Sequence, residues 1–526
     1  MRRRDARVQE PGTLGAHGAA RHGEARSTPR HMNAPKGLPL WLKITSVSVS
    51  VLLVAGIAFA AYWVIRLQSN ISKAPLTAGA TRTEAAANDA TDRLQILILG
   101  SDTRDGKNSQ YGSAQDSAGY GQSDVMMLLD ISADNKRVSL TSFPRDLLVN
   151  VPKCTDPKTN TVYEAHNNVM INSAMAEAGI GCAVDTVNKL TGLEIDHFMM
   201  ADFNAVKELS KAVGGVDVCV SDAVFDPDSG LRLPKGTSKV EGEQALAFLR
   251  TRHGFGDGSD LGRIQAQQGF LSSLTRKVKA DGTLSNPQSL LSIADVVTKN
   301  LTVDDGLASV QSLLTIGTRL KDIDLSKVAF VSVPTQPAAV DINRLELVQP
   351  QATQLFSAMR ANLDLTNPGA TAAPSPSASP APTTAPSSGA AAPAPSSPAA
   401  PAYNKALQAV TVADGSGVAS RGQELTAALI GGGFTKAGHF LAASASKTVV
   451  YYGTGYADVA PDVANLLGIP AAQIEPSPGI VGVQVYVGTD FTTGTKFGMV
   501  SVPADVVKQT AGDVKCQTVN PYLITQ

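Results

Sequence analysis

The sequence predicts an α/β protein in two folded pieces behind a single apolar helix. Three observations carry this. Residues 92–365 alternate short apolar runs with amphipathic helical patterns, the signature of a layered α/β fold. Residues 405–505 repeat the alternation on a smaller scale. One run, Trp41 to Ile65, is almost wholly apolar, with Lys43 its only charge.

That run comes first in the chain. As a helix it spans about 37 Å, enough to cross a ~30 Å hydrocarbon core. Trp41, Tyr62 and Trp63 stand near its ends, where aromatic rings favour the membrane interface. Its length and the 40 residues before it fit a retained anchor better than a cleaved signal peptide. Residues 1–40 carry eight Arg or Lys against three Asp or Glu. The positive-inside bias therefore places this tail in the cytoplasm and everything after about residue 66 outside. The tail reads as disordered, 41–65 as the transmembrane helix and 66–91 as a small, polar stalk.

Within 92–365, Leu94–Gly100, Val125–Ile131 and Val138–Val151 read as strands. Helices are expected around 170–190, 202–212, 241–250 and 261–279. Residues 366–404 are nearly all Ala, Pro, Ser, Thr and Gly, a composition that cannot bury a core and forms a semi-extended linker. The 405–505 domain follows, with strands in QAVTVADG, KTVVYYG and GVQVYVG and helices over 420–432 and 457–467; residues 506–526 read as a tail.

Composition narrows the function. The chain has 526 residues, with 45 Lys plus Arg against 46 Asp plus Glu, for a net charge of −1. That balance argues against a nucleic-acid binder relying on a globally basic surface, though not against a local basic patch. Four cysteines, Cys154, Cys182, Cys219 and Cys516, include no C-x-x-C pair, so zinc and dithiol redox readings are weak. Outside the cytosol they permit disulfides in any of three connectivities, or buried free thiols. Cys154 with Cys182 is the preferred pair.

Charged residues gather at the ends of the expected strands: Asp102 and Arg104 in GSDTR, Asp124 in GQSD, Arg145 and Asp146 in FPRD. Arg250 and Arg252 lie in FLRTRH, and Asp260, Arg263 and Gln267 in DLGRIQAQQ. Singly, each has an ordinary structural explanation as a turn, cap or solvated face. Together they sit where α/β sheets bind ligands. Arginine forks grip phosphate oxygens in pairs, and carboxylates hold Mg²⁺ against them. The P-loop spacing G-x-x-x-x-G-K-[ST] is missing, which argues against a nucleotide triphosphatase. His253 and His197 read as structural before catalytic.

The ordered blocks ILILGSDTR, SDVMMLLDI, FPRDLLVNVP, INSAMAEAG, LTGLEIDHFMMADF, AVGGVDVCV, SGLRLPKG and EGEQALAFLRTRHGFGDGSDLGRIQAQQ resemble the LytR–CpsA–Psr (LCP) family. VTVADGSGVASRGQELTAALIGGGF and KTVVYYG resemble, more loosely, the LytR C-terminal domain found in actinobacteria. The resemblance implies an α–β–α sandwich with a central mixed sheet and a long apolar cavity. It implies a Mg²⁺-dependent phosphotransferase, with Mn²⁺ as a substitute. Such an enzyme moves a glycopolymer from a polyprenyl-pyrophosphate carrier to the muramic acid C6 hydroxyl of peptidoglycan, at the outer face of the cytoplasmic membrane. Carried over by motif, Asp102 and Asp124 are the metal carboxylates, and Arg145, Arg250 and Arg252 hold the pyrophosphate and stabilise the transition state. Arg104, Gln122, Arg263 and Gln267 are further head-group contacts.

Two positions depart from the family pattern. Gln122 stands where Arg is common and Met170 where Lys is common. Both bear on turnover more than on fold, and they keep open a non-catalytic wall-binding protein; a hydrolase using the same site is the other alternative. The insertion from Gly106 to Gly121 reads as a tolerated surface loop rather than a flap over the site. Ala-, Pro- and Gly-rich usage hints at a high-GC actinobacterium, for which the resemblance favours arabinogalactan or a related wall polysaccharide over a teichoic acid-like or capsular polymer. The C-terminal domain shows no cluster readable as a site.

Overall fold

A computed structural model describes residues 39–77, 92–104, 106–112, 120–280, 287–367, 371–372, 403–418, 421–491, 494–498, 500–503 and 506–524. The expected cytoplasmic tail and most of the linker lie outside the described residues. Helix α1, Leu40–Asn70, is long and apolar enough to cross a membrane, and its most apolar stretch is wholly exposed. At about 46 Å it exceeds the expected span by a turn and a half.

The stalk reading needs correction at its start. Leu67 is buried, and Arg66 Nε donates to Asp295 Oδ1 at 3.0 Å. Ser72–Lys73 forms strand β1, and Leu76 joins the main core. The partners of Arg66 and β1 lie more than 200 residues away in sequence, so local polarity concealed them.

The main sheet has eight strands. After β1 come β2 (Leu94–Ser101), β3 (Ser123–Ile131), β4 (Val138–Phe143), β5 (His197–Ala201), β6 (Leu301–Val303), β7 (Val328–Ser332) and β8 (Val507–Thr510). Their spatial order is β1-β6-β5-β2-β3-β4-β7-β8. The sheet is mixed: β2 runs antiparallel to β3 and parallel to β5. Leu97, Leu99, Met126 and Leu128 face one core, while Ile96 and Met127 face another on the opposite side. Period-two alternation therefore feeds two cores, which is why LQILILG is apolar throughout. Helix α2 (Ile180–Thr191) contributes Ala183, Val184 and Val187 to the first core, and Ile316 of helix Val310–Lys321 joins the second. The layering is α–β–α.

The expected strand 138–151 is split. Pro144 lacks an N–H to continue the ladder, and Leu148–Val151 pairs instead with His166–Met170. The expected helix over 170–190 is likewise two: Gly179, at φ +83°, separates Ser173–Ala178 from α2. Helices α3 (Phe203–Ala212), α4 (Glu243–Arg250) and α5 (Asp260–Ala280) fall where helices are expected, and α6 (Pro287–Asn300) is a further helix outside those expectations. Asp202 caps α3 by accepting from Ala205 N at 2.8 Å.

Cys154 and Cys182 are bonded, as expected. Cys219 and Cys516 form a second bridge between residues 297 apart. The tail expected over 506–526 is therefore part of the first domain: β8 pairs with β7, and Val519 joins a core with Phe248, Phe255 and Phe270. In sequence, the second domain is inserted ahead of this returning segment.

The second domain has a five-stranded sheet in the order Gly438–Leu441, Val410–Asp414, Val483–Val487, Val449–Tyr452, Ile474–Pro476. Helices Arg421–Gly431 and Val459–Leu467 share its core. Its buried charges serve structure. Arg421 donates to Phe491 O (2.8 Å) and Gly494 O (2.6 Å), and Asp414 accepts from Gly422 N (2.8 Å).

Candidate functional site

Strand pairing assembles the carboxylates. Ser101, at the end of β2, sits opposite Ser123, at the start of β3, so Asp102 and Asp124 emerge at one edge of the sheet. Asp102 N donates to Gln122 O (3.1 Å), and Asp102 Oδ1 accepts from Gln122 N (2.7 Å). Gly121 makes this turn possible. At φ +70°, a Cβ there would lie 2.8 to 2.9 Å from Ser101 Oγ, Thr103 N and Asp102 Oδ1.

Asp124 is the hub. Arg145 Nη1 donates to its Oδ1 at 2.6 Å, Arg252 Nη2 is 3.7 Å from Oδ2, and Arg263 Nη2 donates to its carbonyl at 3.3 Å. Burial alone pushes the Asp124 carboxyl up, but Arg145, Arg263 and Arg252 outweigh it and hold the pKa below the usual range. Its contribution to stability is therefore present above the unfolded carboxylate pKa of ~3.9 and is lost only as pH falls through the lower folded value.

Asp260 behaves oppositely. It pairs with buried Arg263 and lies 3.7 Å from Arg145 Nε, yet burial dominates and raises its pKa. Burial also lowers Arg263. Each partner is thus pushed toward its neutral form, and the charge of the other only partly offsets the push. Asp260→Ala leaves Arg263, only 4% exposed, with an uncompensated charge. We expect this variant to lose about 3 kcal/mol, read as a lower urea midpoint.

The arginine turn follows α4. Arg250 is its last residue, and Thr251 and Arg252 come next. Thr251 Oγ1 bonds to buried Asp226 and accepts from Gly254 N at 2.9 Å. From the other side, Asn520 Nδ2 donates to His253 O (2.8 Å) and Asn520 N to Gly254 O (3.0 Å). The returning segment thus holds the turn that carries two site arginines.

Asp102, Arg104, Asp124, Arg250, Arg252, Arg263 and Gln267 all border one cavity of about 750 Å³. Gln267 also donates to Leu249 O at 3.3 Å. The rest of the lining is mostly apolar and includes Met127, Met199, Val206, Leu209, Phe270 and Leu274. Arginines and hydrocarbon lining one cavity suit an anionic amphiphile. Arg145 does not border the cavity; it stands behind Asp124, with Asp146 Oδ2 3.5 Å from its Nε. Gln122 does not border it either: its backbone shapes the Asp102 turn, and its side chain accepts from Asn172 Nδ2 at 3.2 Å. His253 borders the cavity. His197 is fully buried, with Nδ1 2.8 Å from Asp304 Oδ1, a structural pairing.

Arg145 Nε, Arg263 Nε and Asp260 Oδ2 are buried without a hydrogen-bond partner among the described residues. Such atoms mark a place built for a polar ligand or water. Among the described residues no group of three or more His, Cys, Asp or Glu is arranged to hold a metal. Asp102 and Asp124 are two carboxylates, the donor set Mg²⁺ uses when phosphate oxygens and water complete its shell. Sequence reasoning missed Tyr111, Asp226 and Asn520, none of which lies in a motif with recognisable chemistry.

Residues 62–361 match the LytR_cpsA_psr family, and residues 408–491 match the LytR cell envelope-related transcriptional attenuator domain. Cell wall biosynthesis protein LcpA of Corynebacterium glutamicum is 29% identical over 335 residues, covering 59% of this chain and 63% of that protein. The chain thus spans less than two thirds of that relative's length. The Bacillus subtilis polyisoprenyl-teichoic acid–peptidoglycan teichoic acid transferase TagT is 28% identical over 314 residues, 58% of this chain and 89% of that protein. A solved structure described as TagT bound to LI-WTA aligns at a TM-score of 0.40 and 22% identity, over 56% of this chain and 99% of its own. With the family match spanning more than half of its 526 residues, the chain belongs to the LytR–CpsA–Psr family.

Proposed function

We propose that this chain transfers a glycopolymer from a polyprenyl-pyrophosphate carrier to the muramic acid C6 hydroxyl of peptidoglycan. The carrying observation is one cavity lined both by arginines and by a larger set of apolar side chains. Such a space accepts a diphosphate head and an isoprenoid tail together. The relatives' names, a cell wall biosynthesis protein and a teichoic acid transferase, support the reading. Helix α1 serves as a single-pass anchor, with the basic N-terminal tail in the cytoplasm and both domains outside, where carrier and wall meet.

Arg250, Arg252 and Arg263 bind the diphosphate oxygens and stabilise charge as it builds during in-line displacement. Arg104 and Gln267 add contacts at the same mouth. Arg145 acts through Asp124, keeping it ionised and fixed. Asp102 and Asp124 would hold Mg²⁺, which neutralises diphosphate charge when bound. The acceptor oxygen bonds to the sugar-side phosphorus as the bridging P–O bond to the other phosphorus breaks, and polyprenyl phosphate leaves, taking up the hydroxyl proton of the acceptor.

Labelled polymer on a polyprenyl carrier tests this. The purified full chain should move label into insoluble peptidoglycan; release into solution would instead identify a hydrolase, and no turnover a binding protein. Chelation should abolish transfer, and Mg²⁺ or Mn²⁺ should restore it. Unchanged turnover in EDTA would remove the metal from the account.

A further inference from the structure

The described start of the insertion, residues 106–112, is docked onto the arginine cluster. It begins with a 3-10 helix, Gly106–Tyr111. Asn108 is buried; its Nδ2 donates to Asp202 Oδ2 (2.8 Å) and its Oδ1 accepts from Asn204 N (3.1 Å). The insertion is thereby tied to the residue that caps α3. This sets Tyr111 edge-on to Phe203, the first residue of α3, with ring centroids 5.3 Å apart and planes at 83°. The Arg250 guanidinium lies against both rings, 5.2 Å from Tyr111 and 4.6 Å from Phe203.

Further contacts hold the Tyr111 ring in place. Its hydroxyl donates to Glu243, at 2.9 and 3.0 Å from the two carboxylate oxygens, and Lys207 Nζ donates to the same carboxylate at 3.1 Å. Glu243 begins the helix that Arg250 ends, so the ring is fastened to the element carrying its cation. The next residue, Gly112, has φ +144°, and a Cβ there would collide with the Arg104 guanidinium. Consecutive residues of the insertion therefore abut two arginines of the cavity.

Arg250 differs from its neighbours. Arg145, Arg252 and Arg263 each face a carboxylate. Among the described residues, no carboxylate oxygen lies within 4.0 Å of Arg250. Ring faces hold a guanidinium without consuming its N–H donors, which stay available for an anion. We infer that Tyr111 is a positioning residue that holds Arg250 at the cavity mouth to receive the diphosphate. The inference deepens the proposed function and rests on it for the ligand.

Modification of Arg250 by phenylglyoxal, followed by peptide mass spectrometry on the full chain in detergent, tests the contact without any ligand. Tyr111→Ala should speed modification about tenfold, and Tyr111→Phe, which keeps the ring, should stay within about twofold of wild type. Transfer should follow the same order: kcat/KM down about tenfold in Tyr111→Ala, restored in Tyr111→Phe, and unaffected by Tyr111→Ala once Arg250 is already Lys. An unchanged Arg250 modification rate in Tyr111→Ala overturns the inference, as does an equal loss of transfer in the Arg250→Lys background. Geranylgeranyl diphosphate should protect Arg250 in the wild type. If it gives no protection while Tyr111→Ala still accelerates modification, the positioning role stands and the diphosphate reading falls.

Discussion

Asp124→Ala should reduce transfer about 10³-fold while the chain remains folded. Asp124 stands between three arginines: it bonds Arg145 at 2.6 Å, faces Arg252 at 3.7 Å and accepts from Arg263 through its carbonyl at 3.3 Å. Removing the side chain frees Arg145 and Arg252 from their common anchor and removes one of the two carboxylates proposed to hold Mg²⁺. Asp124→Asn separates shape from charge. It should lose nearly as much, because an amide neither neutralises the arginines nor offers a charged metal ligand. Arg145→Ala should cost less, about 10²-fold, since that residue works through Asp124. Rates of label incorporation at saturating donor, with thermal melts of each variant, read these effects. Near-normal turnover in Asp124→Asn would show that the charge is dispensable.

Replacing Cys219 and Cys516 together by serine should lower stability by about 4 kcal/mol. The bridge closes a segment of 297 residues, and long loops restrict the unfolded chain most. What it fastens is short: β8 has four residues, and Val519 is the main apolar anchor beyond it. Without the covalent link this segment must dock unaided after the whole second domain. The same variant should also lose transfer, because Asn520 no longer holds His253 O and Gly254 O beside Arg252. Urea denaturation with and without reductant, compared with the Cys154–Cys182 variant, isolates the effect. A midpoint that does not move would mean that β8 docks by its own contacts.

How far the fold could be read depends on whether its causes were local. The apolar helix and β2 were legible because their patterns are uninterrupted, and strand-end charges foretold that Asp102, Asp124, Arg250, Arg252 and Arg263 would meet. Side-chain direction was not legible. Arg145 points to Asp124 and not into the cavity, because Asp124, Asp146 and Asp260 surround it. Gln122, a departure from the family pattern, turns to Asn172. Long-range partnerships were also hidden. Val507–Thr510 has no strand pattern of its own and becomes a strand by pairing with β7. The insertion looked like a passive loop because Asn108, Tyr111 and Gly112 acquire meaning only beside Asp202, Arg250 and Arg104.

A crystal structure of the full chain with geranylgeranyl diphosphate and Mg²⁺ tests the central claim most directly. The diphosphate should lie against Arg250, Arg252 and Arg263, with the metal between it and Asp102 and Asp124. The isoprenoid should run inward past Val206, Leu209, Phe270 and Leu274. A diphosphate bound away from these arginines, or a cavity left empty at saturating ligand, would contradict the account.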